Sequence, residues 1–132
     1  MPPGVSAAEG RSGSIDDVKV NGKLTLGENT ADNGGLRLAY LAFLADAKQN
    51  GVDVTKKQDG GYTPAQQFFL GHGQNWCGEQ RPEAIRLQVQ TDPHSPRELR
   101  VNGVVQNLPE FGAAFGCKVG QPMMPANACR VW

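Results

Sequence analysis

Leu36, Ala39, Tyr40, Phe43, Leu44 and Ala47 recur three and four residues apart, the spacing that gathers side chains on one face of an α-helix. A strand cannot use that spacing, so one long amphipathic helix is committed and the other segments must pack on it. Thr25 with Glu28 three residues later has the form of a capping box at its start. Asn50-Gly51 reads as its left-handed stop. Gly34-Gly35 inside the run costs roughly 2 kcal/mol of helix propensity relative to alanine, which a packing or site reason must offset, such as close approach of another helix.

The rest of the chain is short of apolar runs. At 132 residues it supports one domain with a modest core. Thirteen basic and thirteen acidic residues cancel, and no block of like charge stands out, so a nucleic-acid or anionic-membrane partner is not expected. The most apolar stretch, Leu36 to Ala45, contains Arg37 and Tyr40 and falls short of the roughly 20 residues a membrane span needs. A soluble chain without a membrane span is expected. Residues 1–15 read as a flexible leader of Gly, Pro, Ser and Ala, with no apolar core of a secretory signal. Cys77, Cys117 and Cys129 are odd in number and lack C-x-x-C spacing, against a zinc ribbon or a redox motif.

Turn chemistry divides the remainder. Val18 to Thr25 is a short extended lead-in interrupted by the turn dipeptide Asn21-Gly22. Val52 to Tyr62 is polar and reads as a surface connection. Thr63-Pro64 restarts a helix, since Thr caps and Pro fits the first helical position, with Phe68, Phe69 and Leu70 as its apolar body. Arg81 to Val89 suggests a further short helix, and the prolines of Asp92-Pro93-His94-Ser95-Pro96 end it. A brief strand or ribbon is expected over Leu99 to Val105. A last helix is expected over Leu108 to Phe115, ended by Gly116, with an irregular surface tail beyond. The fold class is mainly α: about four helices with irregular connections.

Four polar residues could carry chemistry. Glu28 and Asp32 sit at i and i+4, so on a helix they share one face and can reach one metal centre. Zinc accepts carboxylate oxygen, and a second carboxylate behind a ligating imidazole fixes its tautomer. The same spacing also suits two acids that merely complement a helix N-terminus. His94, between two prolines, suits a turn residue bonded to backbone as well as a donor to developing negative charge. Arg100 offers a guanidinium fork for a carbonyl or carboxylate. His72 lacks a second ligand at i+4, where Trp76 stands.

Gly27-Glu28-Asn29-Thr30-Ala31-Asp32-Asn33-Gly34-Gly35 resembles the G-E-N-x-A-D-N-G-G segment of the neprilysin-like (M13) zinc metallopeptidases. Thr91-Asp92-Pro93-His94-Ser95-Pro96 with Arg100 resembles that family's D-x-H-S-P segment and downstream Arg. Phe68-Phe69 through Trp76-Cys77-Gly78 and Arg81-Pro82-Glu83 resembles its F-F-x-x-x-x-x-x-W-C-G-x-x-R-P-E region, and Cys129-Arg130-Val131-Trp132 its C-terminus. The resemblance covers 16–132 and implies the C-terminal part of a thermolysin-like catalytic domain. It implies that Glu28 is the third protein ligand of zinc, that Asp32 supports a ligating His, that His94 stabilises the oxyanion and that Arg100 holds a substrate carbonyl. It further implies zinc and a peptide substrate in the intact parent, cysteines paired with upstream chain, and an extracytoplasmic or cell-surface location. His72 and Asn75 depart from the family pattern, which has aromatic or apolar residues there.

The H-E-x-x-H helix of that family has no counterpart in any window of the chain. The expectation is therefore a segment that is inactive and binds no metal by itself, completed by a missing upstream peptidase segment. The competing expectation is a noncatalytic peptide-binding or self-associating domain, a homodimer if the Leu36 to Ala47 face is left bare.

Overall fold

The computed structural model describes residues 14–15 and 18–131. Residues 1–13 of the expected leader lie outside the described residues. Its last two residues form β1 (Ser14–Ile15), which pairs antiparallel with β2 (Val18–Lys19) in the register Ser14 to Lys19 and Ile15 to Val18. The remaining regular structure among the described residues is helical: α1 (Gly22–Gln49), α2 (Pro64–Asn75), α3 (Pro82–Thr91), a π-helical stretch (Leu99–Gly103) and α4 (Pro109–Phe115).

Helix α1 begins earlier than its sequence suggests. Asn21 is the cap, its side-chain oxygen accepting from the Lys23 and Leu24 amides. The Asn-Gly pair that suits a turn is here a cap followed by the first helical residue. Thr25 therefore lies inside the helix, where its hydroxyl bonds back to the Asn21 carbonyl at 3.3 Å, and Glu28 closes no capping box. The far end matches expectation. Gly51 takes φ of 67°, Val52 N–H reaches the Ala47 carbonyl at 2.8 Å and Gly51 N–H the Lys48 carbonyl at 3.3 Å, the paired bonds of a Schellman stop.

Helix α2 starts as expected, with Thr63 and Gln66 in a reciprocal capping box and Pro64 in the first turn. Helix α4 ends at Gly116, whose φ of 70° is the left-handed stop. The expected strand over Leu99 to Val105 is instead a wide helical turn. Val104, Val105 and Leu108 are all buried, at 3%, 2% and 4% exposure. A strand would send the two adjacent valines to opposite faces, whereas helical spacing places both beside Leu108. Core packing overrides the β preference of valine.

That core is aromatic. The Tyr40 ring lies 5.1 Å from both Phe68 and Phe69, and Phe69 stands edge-on to Phe111 at 5.4 Å, so α1, α2 and α4 meet around one cluster with Leu36, Val104, Val105 and Leu108. Such ring pairs add about 0.5–1.5 kcal/mol beyond their area. The Leu36, Tyr40 and Ala47 side of α1 is thus covered within the chain. The most exposed large apolar residues of α1 are Leu38 and Leu41, at 56% and 44% exposure. A buried amide network closes the other end: Asn107 donates to Asn33 Oδ1 and to the Gly103 carbonyl, both at 2.9 Å, and accepts from the Cys129 amide. Cys129 is buried by this tie, so part of the tail is core and not surface.

Candidate active site

Helix α1 runs unbroken through Glu28, Asp32, Gly34 and Gly35. The acids therefore project one turn apart from the same face, as their spacing requires. The Asp92 to Pro96 loop and the π-helical stretch bring His94 and Arg100 against that face. His94 Nε2 lies 3.2 Å from Glu28 Oε2. Arg100 donates from Nε and Nη2 to the two oxygens of Asp32 at 2.6 and 2.7 Å. All four candidate residues converge from segments more than sixty residues apart.

Each side chain is fixed by a nearby group. Asp92 Oδ1 accepts from both the His94 amide and His94 Nδ1 at 2.8 Å, so it forms an Asx-turn and orients the ring. Those two bonds hold the Asp92 carboxyl below its ordinary value, the backbone bond most. With Nδ1–H on Asp92, a neutral His94 turns its Nε2 lone pair toward Glu28 Oε2, acceptor against acceptor. A protonated ring presents a second donor there. The loop is clamped independently: buried Ser95 donates to Asn29 Oδ1 at 2.8 Å, and Gln88 donates to the carbonyls of His94 and Ser95.

Arg100 is held on three sides. Its guanidinium carbon sits 4.1 Å from the centre of the Trp76 ring, a cation–π stack, and its own carbonyl faces His72 Nε2 at 3.4 Å. The Asp32 bonds push the Arg100 pKa above its ordinary value. Two of its five N–H donors serve Asp32, which leaves Nη1 to meet a ligand oxygen. Burial lowers the His72 pKa, against the opposing pull of the Arg100 carbonyl and Asp32. The π-helical turn matters here, because widening the coil at Leu99–Gly103 sets where Arg100 emerges; such turns recur at functional sites.

Sequence reasoning passed over Asp92, Asn29, Ser95 and Gln88 as positioning groups. The Asp-Pro-His order carried a signal for the first, since Asp bonds the backbone two residues on. Asn29 and Ser95 stand 66 residues apart, and no local pattern joins them.

The donor set fits one corner of a zinc site. Glu28 is partly exposed and offers a carboxylate oxygen beside an imidazole, but no group of three or more His, Cys, Asp and Glu among the described residues is arranged to hold a metal ion. A catalytic zinc needs three protein ligands and an open position.

The family model for peptidase family M13 matches residues 7–131. The chain belongs to peptidase family M13. Among M13 relatives, it is 47% identical over 117 residues to neprilysin-1 of Caenorhabditis elegans, covering 88% of this chain and 16% of that one. It is 48% identical over 118 residues to membrane metallo-endopeptidase-like 1 of Mus musculus, covering 89% and 15%. The open state of the Mycobacterium tuberculosis zinc metalloprotease Zmp1 superposes with a TM-score of 0.80 at 32% identity, over 97% of this chain and 21% of that one. The M13 resemblance read from the motifs therefore holds, as does the mainly helical fold. The chain spans about a sixth of the length of the two animal relatives and about a fifth of Zmp1. No helix among the described residues is long and apolar enough to cross a membrane.

Proposed function

We propose that the chain is one wall of the active site of a zinc metalloendopeptidase, the C-terminal part of an M13 catalytic domain. The observation that carries this reading is the convergence of Glu28, Asp32, His94 and Arg100 on one face of α1. Glu28 supplies the third protein ligand. Asp32, anchored by Arg100, supports a ligating imidazole from the rest of the enzyme. His94, oriented by Asp92 through Nδ1 and carrying its second ring hydrogen on Nε2, donates to the oxyanion that develops at the scissile carbonyl, where a placed donor is worth about 2.7–4 kcal/mol of barrier. Arg100 uses the donors left free by Asp32 to orient a substrate carbonyl. Zinc, when bound, acts as Lewis acid and lowers the pKa of water.

Activity requires more polypeptide. The two histidines, His72 and His94, are 22 positions apart (94 − 72), so the chain holds no H-E-x-x-H and is inactive alone. The complete enzyme hydrolyses peptides on the extracytoplasmic side or at the cell surface. A second reading, a noncatalytic self-associating domain, draws on the exposed Leu38 and Leu41.

Calorimetric titration of the reduced chain with zinc, beside Glu28→Ala, tests the reading. Binding no tighter than about 10 μM, roughly −7 kcal/mol, is expected of an incomplete ligand set. Tight stoichiometric binding overturns incompleteness, and tight binding that survives Glu28→Ala also removes Glu28 from the metal.

A further inference from the structure

Beside the Asp32–Arg100 pair an open groove of about 500 Å³ runs between α1 and α2, within the size range of small-ligand sites. Its apolar walls are Leu36, Phe68 and Trp76, and its polar groups are Asp32, His72 and Asn75. The Asp32 charge is matched by Arg100 and its remaining lone pairs are those that would support the ligating imidazole, so it offers a side chain in the groove no unpaired anion. Recognition falls to the other two. His72 Nε2 faces a carbonyl, the Arg100 oxygen at 3.4 Å, and must carry the hydrogen. The neutral ring then leaves Nδ1 as an acceptor, with no protein donor on it among the described residues. The Asn75 amide, exposed at the end of α2, likewise has no side-chain hydrogen bond there, and offers both a donor and an acceptor.

We infer that this groove selects a peptide carrying a carboxamide side chain, glutamine or asparagine, with His72 and Asn75 as the specificity-determining residues. The inference rests on the peptide-binding reading of the same site. The ligand amide N–H donates to His72 Nδ1, and Asn75 Nδ2 donates to the ligand amide oxygen. The methylene stem lies on Trp76 and Phe68. A leucine in the same place would strip water from His72 and Asn75 and return no hydrogen bond, which is the penalty that lets polar pockets reject apolar isosteres. A carboxylate brings no donor for Nδ1, and an ammonium finds no unpaired anion.

The test uses the intact 132-residue chain and three blocked tetrapeptides, alanine throughout except for glutamine, leucine or lysine at one position. Affinities are read from NMR shifts of the Trp76 indole N–H and the His72 ring protons. Glutamine is expected to bind about five- to tenfold tighter than leucine, as one or two net hydrogen bonds allow. In Asn75→Val and in Asn75→Val with His72→Phe the preference should fall and then reverse. Asn75 is exposed, so its single variant keeps the fold if the double one does not. Leucine or lysine binding as tightly as glutamine overturns the carboxamide assignment and leaves the peptidase reading intact. If none of the peptides shifts Trp76, the groove is not a peptide site, and both this inference and the substrate part of that reading fall, independently of the zinc result.

Discussion

Arg100 clasps Asp32 through hydrogen bonds of 2.6 and 2.7 Å across 68 residues of chain, with both side chains less than one-fifth exposed. The pair locks the π-helical stretch to α1 and stacks on Trp76, so stability and site geometry depend on the same contact. Removing one partner leaves the other charge in a poorly solvated place. Arg100→Ala should therefore destabilise the chain by about 2 kcal/mol in urea unfolding. The double variant with Asp32→Ala should lose clearly less than the sum of the singles, since the two residues share one interaction.

Glu28 and His94 meet at 3.2 Å but are more than 40% exposed, and exposed ion pairs contribute about 0–1 kcal/mol. Glu28→Gln should shift the urea midpoint by no more than that. A large loss of stability would mean that Glu28 is a structural residue, contrary to its assigned role at a metal.

Burial holds the His72 imidazole below its ordinary value. Between that lowered value and the ordinary one of about 6.5, the unfolded chain binds a proton that the folded chain does not. Stability is therefore lost as pH falls from about 7 through the folded value. The difference in urea midpoint between pH 7.5 and 5.5 should shrink in His72→Phe, and NMR titration should place His72 below an unfolded reference peptide.

Asn107 makes three hydrogen bonds while 6% exposed. Asn107→Ala leaves the Asn33 amide oxygen and the Cys129 amide without their partner, at about 1–3 kcal/mol for a stranded buried group. A loss near the top of that range is expected by urea unfolding, with the amide of Cys129 exchanging faster with solvent.

The site was legible in the sequence to the extent that local order encodes it. Gly27 to Gly35 and Asp92 to Pro96 are contiguous motifs, and helical spacing alone put Glu28 and Asp32 on one face. The cap of α1 is not legible locally, because Asn21-Gly22 suits a turn and a helix start equally well, and only the Asn21 side-chain bonds distinguish them. The Leu99 to Val105 turn has the composition of a strand, and valine's preference is weak against burial beside Leu108. The clamps from Asn29 to Ser95 and from Asn33 to Asn107 join residues 66 and 74 positions apart. Their side chains are ordinary polar residues until the fold brings them together.

The most direct measurement replaces the matching segment of mouse membrane metallo-endopeptidase-like 1 with this chain, at 48% identity over 118 residues, and follows zinc content and peptide hydrolysis. The account predicts a zinc-loaded chimera that cleaves peptide, with Glu28→Gln losing metal and activity together while its unfolding midpoint matches that of the chelator-treated parent chimera. A folded chimera that keeps its zinc and its rate after Glu28→Gln would contradict the assignment of Glu28 and with it the proposed site.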